Sequence, residues 1–144
     1  MTHPAVAAAR GWIGTPYHPQ ASLCQRGADC LGLVRGVWRE IIGPEPAAIP
    51  PYTPDWSEMQ GDEALWRALS RHFRQAPPGA PQPGDVLLFR MRAGALAKHL
   101  GIQASTGPEA SFIHAYARRA VVESPLGHPW ARRIVARFRF PEKE

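Results

Sequence analysis

Prolines limit what this chain can fold into more than any other feature. There are sixteen of them, together with thirteen glycines, among 144 residues. Proline removes a backbone donor and breaks the interior of a helix, so a bundle of long helices is excluded. Five prolines fall within residues 44–54 and four within residues 76–85. We therefore expect short elements that are joined by two extended connectors.

Helical periodicity is confined to the first half of the chain. Apolar residues recur every three or four positions in three segments, which are residues 4–13, 29–42 and 61–73. Thr2 is the predicted N-cap of the first helix, and Ile13 is predicted to lie on its apolar face. Gly43 and Pro44 are predicted to close the second helix.

The pattern changes to short strands after Asp85. Five runs read as strands separated by turns: DVLLFRM, KHLGIQAS, SFIHAY, RAVVES and RIVARFRF. This spacing predicts an antiparallel meander. The last run alternates most clearly, with apolar residues on one face and arginines near or on the other: Ile134, Ala136, Phe138 and Phe140 against Arg133, Arg137 and Arg139.

Helices followed by a sheet indicate an α+β fold. With 44% hydrophobic residues, a chain of this length can bury one core. We predict a single domain over residues 1–144, with a helical half over about residues 1–75 and a sheet half over about residues 84–140.

Charge favours a polyanionic environment without specifying nucleic acid. The net charge is +5 and the sequence pI is about 9.9. The arginines are scattered rather than gathered in one basic helix or an aromatic strand of an RNA-binding type. An anionic cell envelope suits this charge equally well, so nucleic acid is not a predicted partner.

The start of the chain carries no targeting signal that we recognise. The segment MTHPAVAAARGW has neither a basic start nor a long apolar run, so we expect neither a signal peptide nor a membrane anchor. The predicted site of synthesis and folding is the reducing cytosol. Cys24 and Cys30 are too few for a disulfide scaffold and form no zinc pattern, although a disulfide between them remains open.

Cys30 stands where a thiol can be made reactive. A cysteine attacks as a thiolate, and a helix N-terminus and a neighbouring imidazole both lower its pKa. Cys30 lies in the first turn of the second predicted helix. His99 and His114 lie on predicted neighbouring strands, where their rings would be side by side. The alternative is that Cys30 is a small buried core residue, and that the remaining histidines are solvated or structural: His3, His18, His72 and His128.

Five short segments, taken in order, resemble one enzyme family. They are TPYH at 15–18, DCLGLV at 29–34, PGDVLLF at 83–89, HLGI at 99–102 and IHA at 113–115. In this order they resemble the NlpC-type cell-wall peptidases, which are compact papain-like enzymes. The resemblance implies that fold, with helices packed on an antiparallel sheet.

The same resemblance implies roles for five residues. Cys30 is the implied nucleophile, His99 the general base and acid, and His114 the residue that orients the imidazole of His99. Tyr17 is implied to reach into the active site beside the thiol, and Asp29 to help shape the substrate pocket. No metal or cofactor is implied. The backbone N–H of Cys30, at a helix start, is a natural oxyanion donor, with the Tyr17 hydroxyl as a second one.

The implied substrate is a peptidoglycan stem peptide, cut between D-γ-glutamyl and meso-diaminopimelate. Leu31 stands where the family usually has a serine, and the form GADCLGLVRGVWRE resembles the branch found in bacteriophage tails and gene transfer agents. We therefore expect a protein of a particle tail that acts on the cell wall, with tail-hub partners that dock on exposed aromatics such as Trp56 and Trp130. The alternative for each of these two tryptophans is an ordinary loop anchor. The alternatives are a catalytically silent tail-hub subunit and a thiol amidase or acyltransferase. Asp85 is predicted to be a structural turn residue.

Overall fold

The computed structural model describes residues 2–46, 63–116 and 118–142. Within them the helices are α1 (Pro4–Arg10), α2 (Cys30–Ile41), α3 (Ala64–His72) and α4 (His128–Ala131). The strands are β1 (Ser22–Leu23), β2 (Gly27–Ala28), β3 (Arg74–Ala76), β4 (Val86–Phe89), β5 (His99–Ser105), β6 (Ser111–Ala115), β7 (Val121–Pro125) and β8 (Ile134–Arg139). The predicted α+β class is confirmed.

Six strands form one antiparallel sheet in the order β3-β8-β4-β5-β6-β7. Strands β4 to β7 are successive neighbours, so the predicted meander is confirmed for these four. The last strand departs from it, because β8 returns to lie between β3 and β4. There Phe138 joins the helix-side core and Arg137 reaches Asp85 at the start of β4.

Three short strands were not predicted. Strand β3 pairs with β8, and β1 and β2 form a separate two-stranded hairpin directly before Cys30. Strands of two or three residues contain too few positions for an alternating pattern to be visible in a sequence.

Helices α1 and α2 pack against one face of the sheet and bury the larger core. It combines residues of both helices with alternate strand residues, among them Val6, Ala9, Leu33, Val37, Leu88, Leu100, Ile102, Ile113 and Phe138. Because strand side chains alternate, the other face carries a second cluster, formed by Leu87, Phe89 and Phe112 and covered by Trp130 and Leu126.

Helix α2 lies close to its neighbours because it contains glycine on the packed face. The indole of Trp12 lies against Gly36, where a Cβ atom would be 2.0 Å from the Trp12 Cζ2. The indole Nε1 donates to Glu40, one turn further along, at 2.9 Å. Any side chain at Gly36 would therefore displace a tryptophan that is itself 2% exposed.

Helix α1 ends earlier than predicted and has a different cap. The His3 Nδ1, and not Thr2, accepts the N–H of Ala5 at 3.0 Å. Gly11 is the C-cap, so the helix stops before Ile13. Ile13, predicted to lie on the apolar face, is consequently 40% exposed.

Strand β8 changes faces at an irregularity. Ala136 and Phe138 join the helix-side core as predicted, but Ile134 packs on the cluster of the opposite face. The pairing of β4 with β8 shifts between Leu88 and Phe89, and this shift places Ile134 beside Phe89.

The arginines of β8 are not simply solvated. Arg137 is 8% exposed, and its Nη1 lies 3.2 Å from the Asp85 carboxylate. Arg139 donates to the other carboxylate oxygen at 3.0 Å, and Asp85 also accepts the N–H of Gln82. The predicted structural role of Asp85 is confirmed, and its two ion pairs were not predicted.

Helix α3 lies inside the predicted segment, with Leu65 and Leu69 buried. Trp56 and most of the first proline connector, residues 47–54, lie outside the described residues. Among the helices of the described ranges, none is both long and apolar enough to cross a membrane.

Replacing Gly36 with alanine should destabilise the fold, because the new Cβ overlaps the Trp12 ring. Overpacking of this kind costs about 1–3 kcal/mol. Urea unfolding followed by tryptophan fluorescence measures the change. Gly79→Ala is the matched control, since nothing lies within 4 Å of a Cβ there. Equal stability of the two variants would contradict this packing.

Candidate active site

Asp29 fixes the start of α2 and thus the position of Cys30. Its Oδ1 accepts the N–H of Gly32 at 2.7 Å, which caps the helix, and its Oδ2 accepts the N–H of Gln20 at 2.7 Å. Asp29 is only 5% exposed. The carboxylate therefore shapes this region by holding two backbone segments together.

Tyr17 is held beside Cys30 by backbone pairing on both sides. Its N–H donates to the carbonyl of Arg119, and the neighbouring Pro16 carbonyl accepts the N–H of Ala28. Burial raises the pKa of the Tyr17 phenol, and the nearby Cys30 and Asp29 raise it further. The hydroxyl is therefore a neutral group that can donate a hydrogen bond.

The Cys30 thiol lies at the start of β5, next to the backbone on either side of His99. The sulfur is 3.6 Å from the carbonyl oxygen of Lys98, to which the thiol donates. The N–H of Leu100 also acts on the sulfur as a backbone donor. The structure thus brings the predicted nucleophile to the strand segment that carries the predicted base.

His99 and His114 form a hydrogen-bonded pair on the opposite face of the sheet from α1 and α2. The distance from Nε2 of His99 to Nδ1 of His114 is 2.9 Å. His114 is fully buried, and its Nε2 lies 3.0 Å from Oγ of Ser124 on β7. The side-by-side arrangement of the two rings is confirmed.

Aromatic rings surround this histidine pair. Phe112 lies 4.2 Å from His114 between ring centroids, and Phe89 lies 5.5 Å from His99. Trp130 contacts both histidines, at 5.7 and 5.1 Å. Trp130 covers the apolar cluster and is half-buried, so it anchors its loop, which is the alternative that the sequence offered to an exposed docking residue.

Burial sets the charge state of the site. It raises the pKa of the Cys30 thiol to about 12, helped by the negative charge of Asp29. Burial also lowers the pKa of His99 to about 3, with a further effect of His114, and that of His114 to about 4. At neutral pH the structure therefore holds a neutral thiol and two neutral imidazoles.

This result corrects the expectation of a thiolate stabilised at rest. The helix N-terminus and the imidazole were predicted to lower the pKa of Cys30. Backbone donors of Leu31 and Leu100 do act in that direction, but burial outweighs them. A thiolate–imidazolium pair of Cys30 and His99 is therefore not the resting state of this site.

Three contributors to the site were missed from the sequence. They are the Lys98 carbonyl, the Ser124 hydroxyl and the Trp130 ring. A backbone carbonyl has no sequence signal, and a serine on a strand resembles any half-exposed position. Trp130 was noticed in the sequence as an aromatic residue in the loop before the last strand. Nothing in the sequence indicated that its ring would contact the histidine pair.

The other thiol lies apart from this arrangement. Cys24 is exposed, both cysteines are free, and the Cys24 sulfur lies 3.4 Å from the carbonyl of Gly11. The disulfide that the sequence left open is therefore absent here. Within the described ranges no group of three His, Cys, Asp or Glu side chains could hold a metal ion.

Solved structures share this fold. A protein of the NLP/P60 family from Staphylococcus aureus, described as similar to a lipoprotein, matches 99% of this chain with a TM-score of 0.62 and 17% identity. An NlpC/P60 family protein from Bacillus cereus matches 97% with a TM-score of 0.64 and 18% identity. NlpC1 from Trichomonas vaginalis matches 94% with a TM-score of 0.59 and 19% identity.

These likenesses establish the fold, and the predicted papain-like NlpC fold is confirmed. The chain spans 43%, 41% and 42% of the length of those three solved chains. The sequence matches no family model, and it has no significant match among curated proteins.

Alkylation by iodoacetamide should be slow at Cys30 near neutral pH, because its thiol pKa is raised to about 12. The labelling rate at this residue should rise towards alkaline pH. Asp29→Asn keeps a capping oxygen but removes the negative charge, so it should move the Cys30 profile to lower pH. Peptide-resolved mass spectrometry separates this signal from that of Cys24. Rapid labelling of Cys30 at about pH 6 would contradict the neutral resting thiol.

Stability should fall as the pH falls below the usual histidine value of 6.5. His99 and His114 have folded-state pKa values of about 3 and about 4, so the unfolded chain takes up protons first. The contribution of the two neutral imidazoles to the free energy of unfolding is complete above about pH 6.5 and is lost progressively towards about pH 3. Denaturant unfolding across this window measures the slope.

The variant His99→Asn should flatten that slope, and His128→Asn, which removes an exposed imidazole outside the pair, should preserve it. If all three proteins lose stability with the same pH dependence, the buried pair is not its source.

Proposed function

We propose that this chain is a cysteine peptidase that cleaves peptidoglycan stem peptides. The observation that carries the proposal is the meeting of Cys30 with β5: the sulfur lies against the backbone of both neighbours of His99, and His99 is hydrogen-bonded to His114. A nucleophile, a base and a group that orients the base are the parts that covalent hydrolysis of an amide needs.

The histidine tautomers follow from the proposed role of His99. Within the described residues the hydrogen bond of its ring is made through Nε2, so Nδ1 is the nitrogen that can act as the base. Nε2 of His99 then carries the ring proton and donates a hydrogen bond to Nδ1 of His114. In the attack, the thiol proton of Cys30 passes to Nδ1 of His99 while the sulfur bonds to the substrate carbonyl carbon.

The resulting tetrahedral oxyanion needs donors. Cys30 is the first residue of α2, so its N–H has no acceptor within the helix; at rest it acts on the Cys30 sulfur, and in the proposed attack it donates to the oxyanion. The neutral Tyr17 hydroxyl is the second proposed donor. Collapse breaks the C–N bond, and the leaving amine takes the proton from His99. His99 then takes a proton from water as the water oxygen bonds to the acyl carbon; the C–S bond breaks, the acid product leaves, and the Cys30 sulfur takes the proton back from His99.

The substrate class rests on fold and charge together. The matching structures are of NlpC/P60 proteins, and one further structure of this fold, that of Ly7917, contains the hydrolysis product of MDP. The net charge of +5 suits an anionic wall. The bond we propose is the one between D-γ-glutamyl and meso-diaminopimelate, and Leu31 beside the nucleophile is where specificity should differ from that of enzymes with serine there.

Digestion of purified peptidoglycan tests the proposal. The wild-type chain should release stem-peptide fragments, and Cys30→Ala should release none, because the nucleophile is lost. Cys24→Ala is the matched control and should retain activity within about two-fold, since this thiol is exposed and outside the site. Mass spectrometry of the fragments identifies the bond.

Each of the other outcomes of this digestion experiment would support a different function for the chain. Activity that survives in Cys30→Ala would overturn the assigned nucleophile. A wild type that releases nothing, yet is acylated at Cys30 by a different amide or ester, would indicate the amidase or acyltransferase alternative. Complete inertness of the thiol would favour the silent structural subunit.

We propose further that the enzyme works in the tail of a phage-like particle. The support is the form of the segment around Cys30, GADCLGLVRGVWRE, which resembles that branch. In this role the protein is assembled into the particle in the cytoplasm and reaches the wall of the next cell during DNA delivery. Tail-hub proteins are its proposed partners.

Particles from a producing strain should therefore contain the protein at low copy number. Those that carry Cys30→Ala should assemble and adsorb normally but deliver DNA poorly, because the barrier they must open stays intact. Immunoblots of purified particles and transduction frequencies measure both effects, with Cys24→Ala particles as the control. Protein found free in the cytosol and missing from particles would contradict the tail role.

A further inference from the structure

The hydrogen-bond chain that begins at His99 continues beyond His114. We propose that Ser124 is a positioning residue: its hydroxyl accepts the Nε2 proton of His114, fixes the tautomer of that ring, and so keeps Nδ1 of His99 free to act as the base. This inference rests on the proposed peptidase function for its catalytic consequence, while the tautomer itself is a property of the resting protein.

The strand register places Ser124 where it can do this. On β6 and β7, His114 pairs with Val122 and Phe112 pairs with Ser124. The four side chains therefore lie on one face, with Ser124 diagonal to His114. The distance from the Ser124 Oγ to the His114 Nε2 is 3.0 Å, which is hydrogen-bonding distance.

Only two proton arrangements satisfy both hydrogen bonds when the rings are neutral. In the first, His99 Nε2–H donates to His114 Nδ1, and His114 Nε2–H donates to Ser124. In the second, the Ser124 hydroxyl donates to His114, whose Nδ1–H donates to His99 Nε2. The second arrangement puts the only proton of His99 on Nδ1, so His99 cannot accept a proton from Cys30 there.

The first arrangement requires an acceptor at position 124, and the Ser124 oxygen supplies one. His114 is fully buried among Phe112, Trp130 and Tyr116, so water does not replace a lost acceptor easily. Ser124 is only half-buried, so its oxygen can accept from His114 while its own proton is given to solvent. Without that oxygen, the Nε2–H of His114 would be a buried unpaired donor.

The direct test is the histidine tautomer, read from 15N chemical shifts of the full chain labelled at histidine. At about pH 7, where both rings are neutral, wild type should show His99 and His114 protonated on Nε2. Ser124→Ala should move His114 towards protonation on Nδ1, and Ser124→Thr, which keeps the hydroxyl, should retain the wild-type shifts.

The matched control is Ser111→Ala. Ser111 lies on the neighbouring strand, and its hydroxyl bonds to Ser105 and Glu123 rather than to the histidine chain. In peptidoglycan digestion, Ser124→Ala should lower kcat about ten- to a hundred-fold with KM little changed. Ser124→Thr should restore activity, and Ser111→Ala should match wild type.

Two results would overturn the inference. One is a wild-type His114 protonated on Nδ1, which decides the matter even if Ser124→Ala does not fold. The other is a Ser124→Ala variant with unchanged shifts and unchanged kcat. The first result would also remove Nδ1 of His99 as the proposed base, whereas digestion of peptidoglycan by the wild type tests the peptidase activity itself separately. A wild type that shows the expected tautomers but cleaves nothing would support Ser124 as the residue that fixes the tautomer of His114. The same result would contradict a catalytic consequence of that tautomer.

Discussion

The geometry of the site depends on the hydrogen bonds that the Asp29 carboxylate accepts. With one oxygen it caps α2 through Gly32, and with the other it holds the N–H of Gln20. The helix start is thereby fixed against the β1–β2 hairpin, and the Cys30 sulfur is fixed against β5. The same charge raises the pKa of the thiol, so the group that positions Cys30 also disfavours its ionisation.

Close contacts explain why glycine occurs in three of the short segments that characterise the sequence. A Cβ at Gly32 would lie 1.8 Å from the carbonyl oxygen of Ala21, so the segment that leads into the hairpin can come this close to α2 because residue 32 is glycine. Gly84 has a φ of +90° and abuts the ring of His3, and Gly101 leaves room for Phe112, which in turn packs on the histidine pair. These glycines allow separate segments to come close enough to assemble the site.

The sequence predicted those parts of the structure that are determined by local residue patterns. Helix α2, the four-strand meander and the neighbouring rings of His99 and His114 follow from periodicity and order along the chain. The sequence did not predict those parts that are determined by contacts between distant segments of the chain. The insertion of β8 beside β4 accompanies the burial of Arg137 against Asp85, more than fifty residues away in sequence. The neutral state of Cys30 follows from burial, which outweighs the helix N-terminus that the sequence does reveal.

The two sides of the candidate site come from opposite faces of the sheet. Cys30 belongs to the helix layer, whereas the histidines belong to the aromatic cluster under Trp130, and the two sides meet only where β5 begins. Cys30 and His99 are each half-buried and His114 is fully buried, and this burial is the main cause that keeps the thiol and both imidazoles uncharged at neutral pH. In the proposed mechanism, the substrate carbonyl would lie between the two sides, and its developing oxyanion would accept hydrogen bonds from the donors at the start of α2. In the proposed mechanism, proton transfer from Cys30 to His99 would therefore accompany attack on a bound substrate rather than precede it, because both groups are uncharged before the substrate binds.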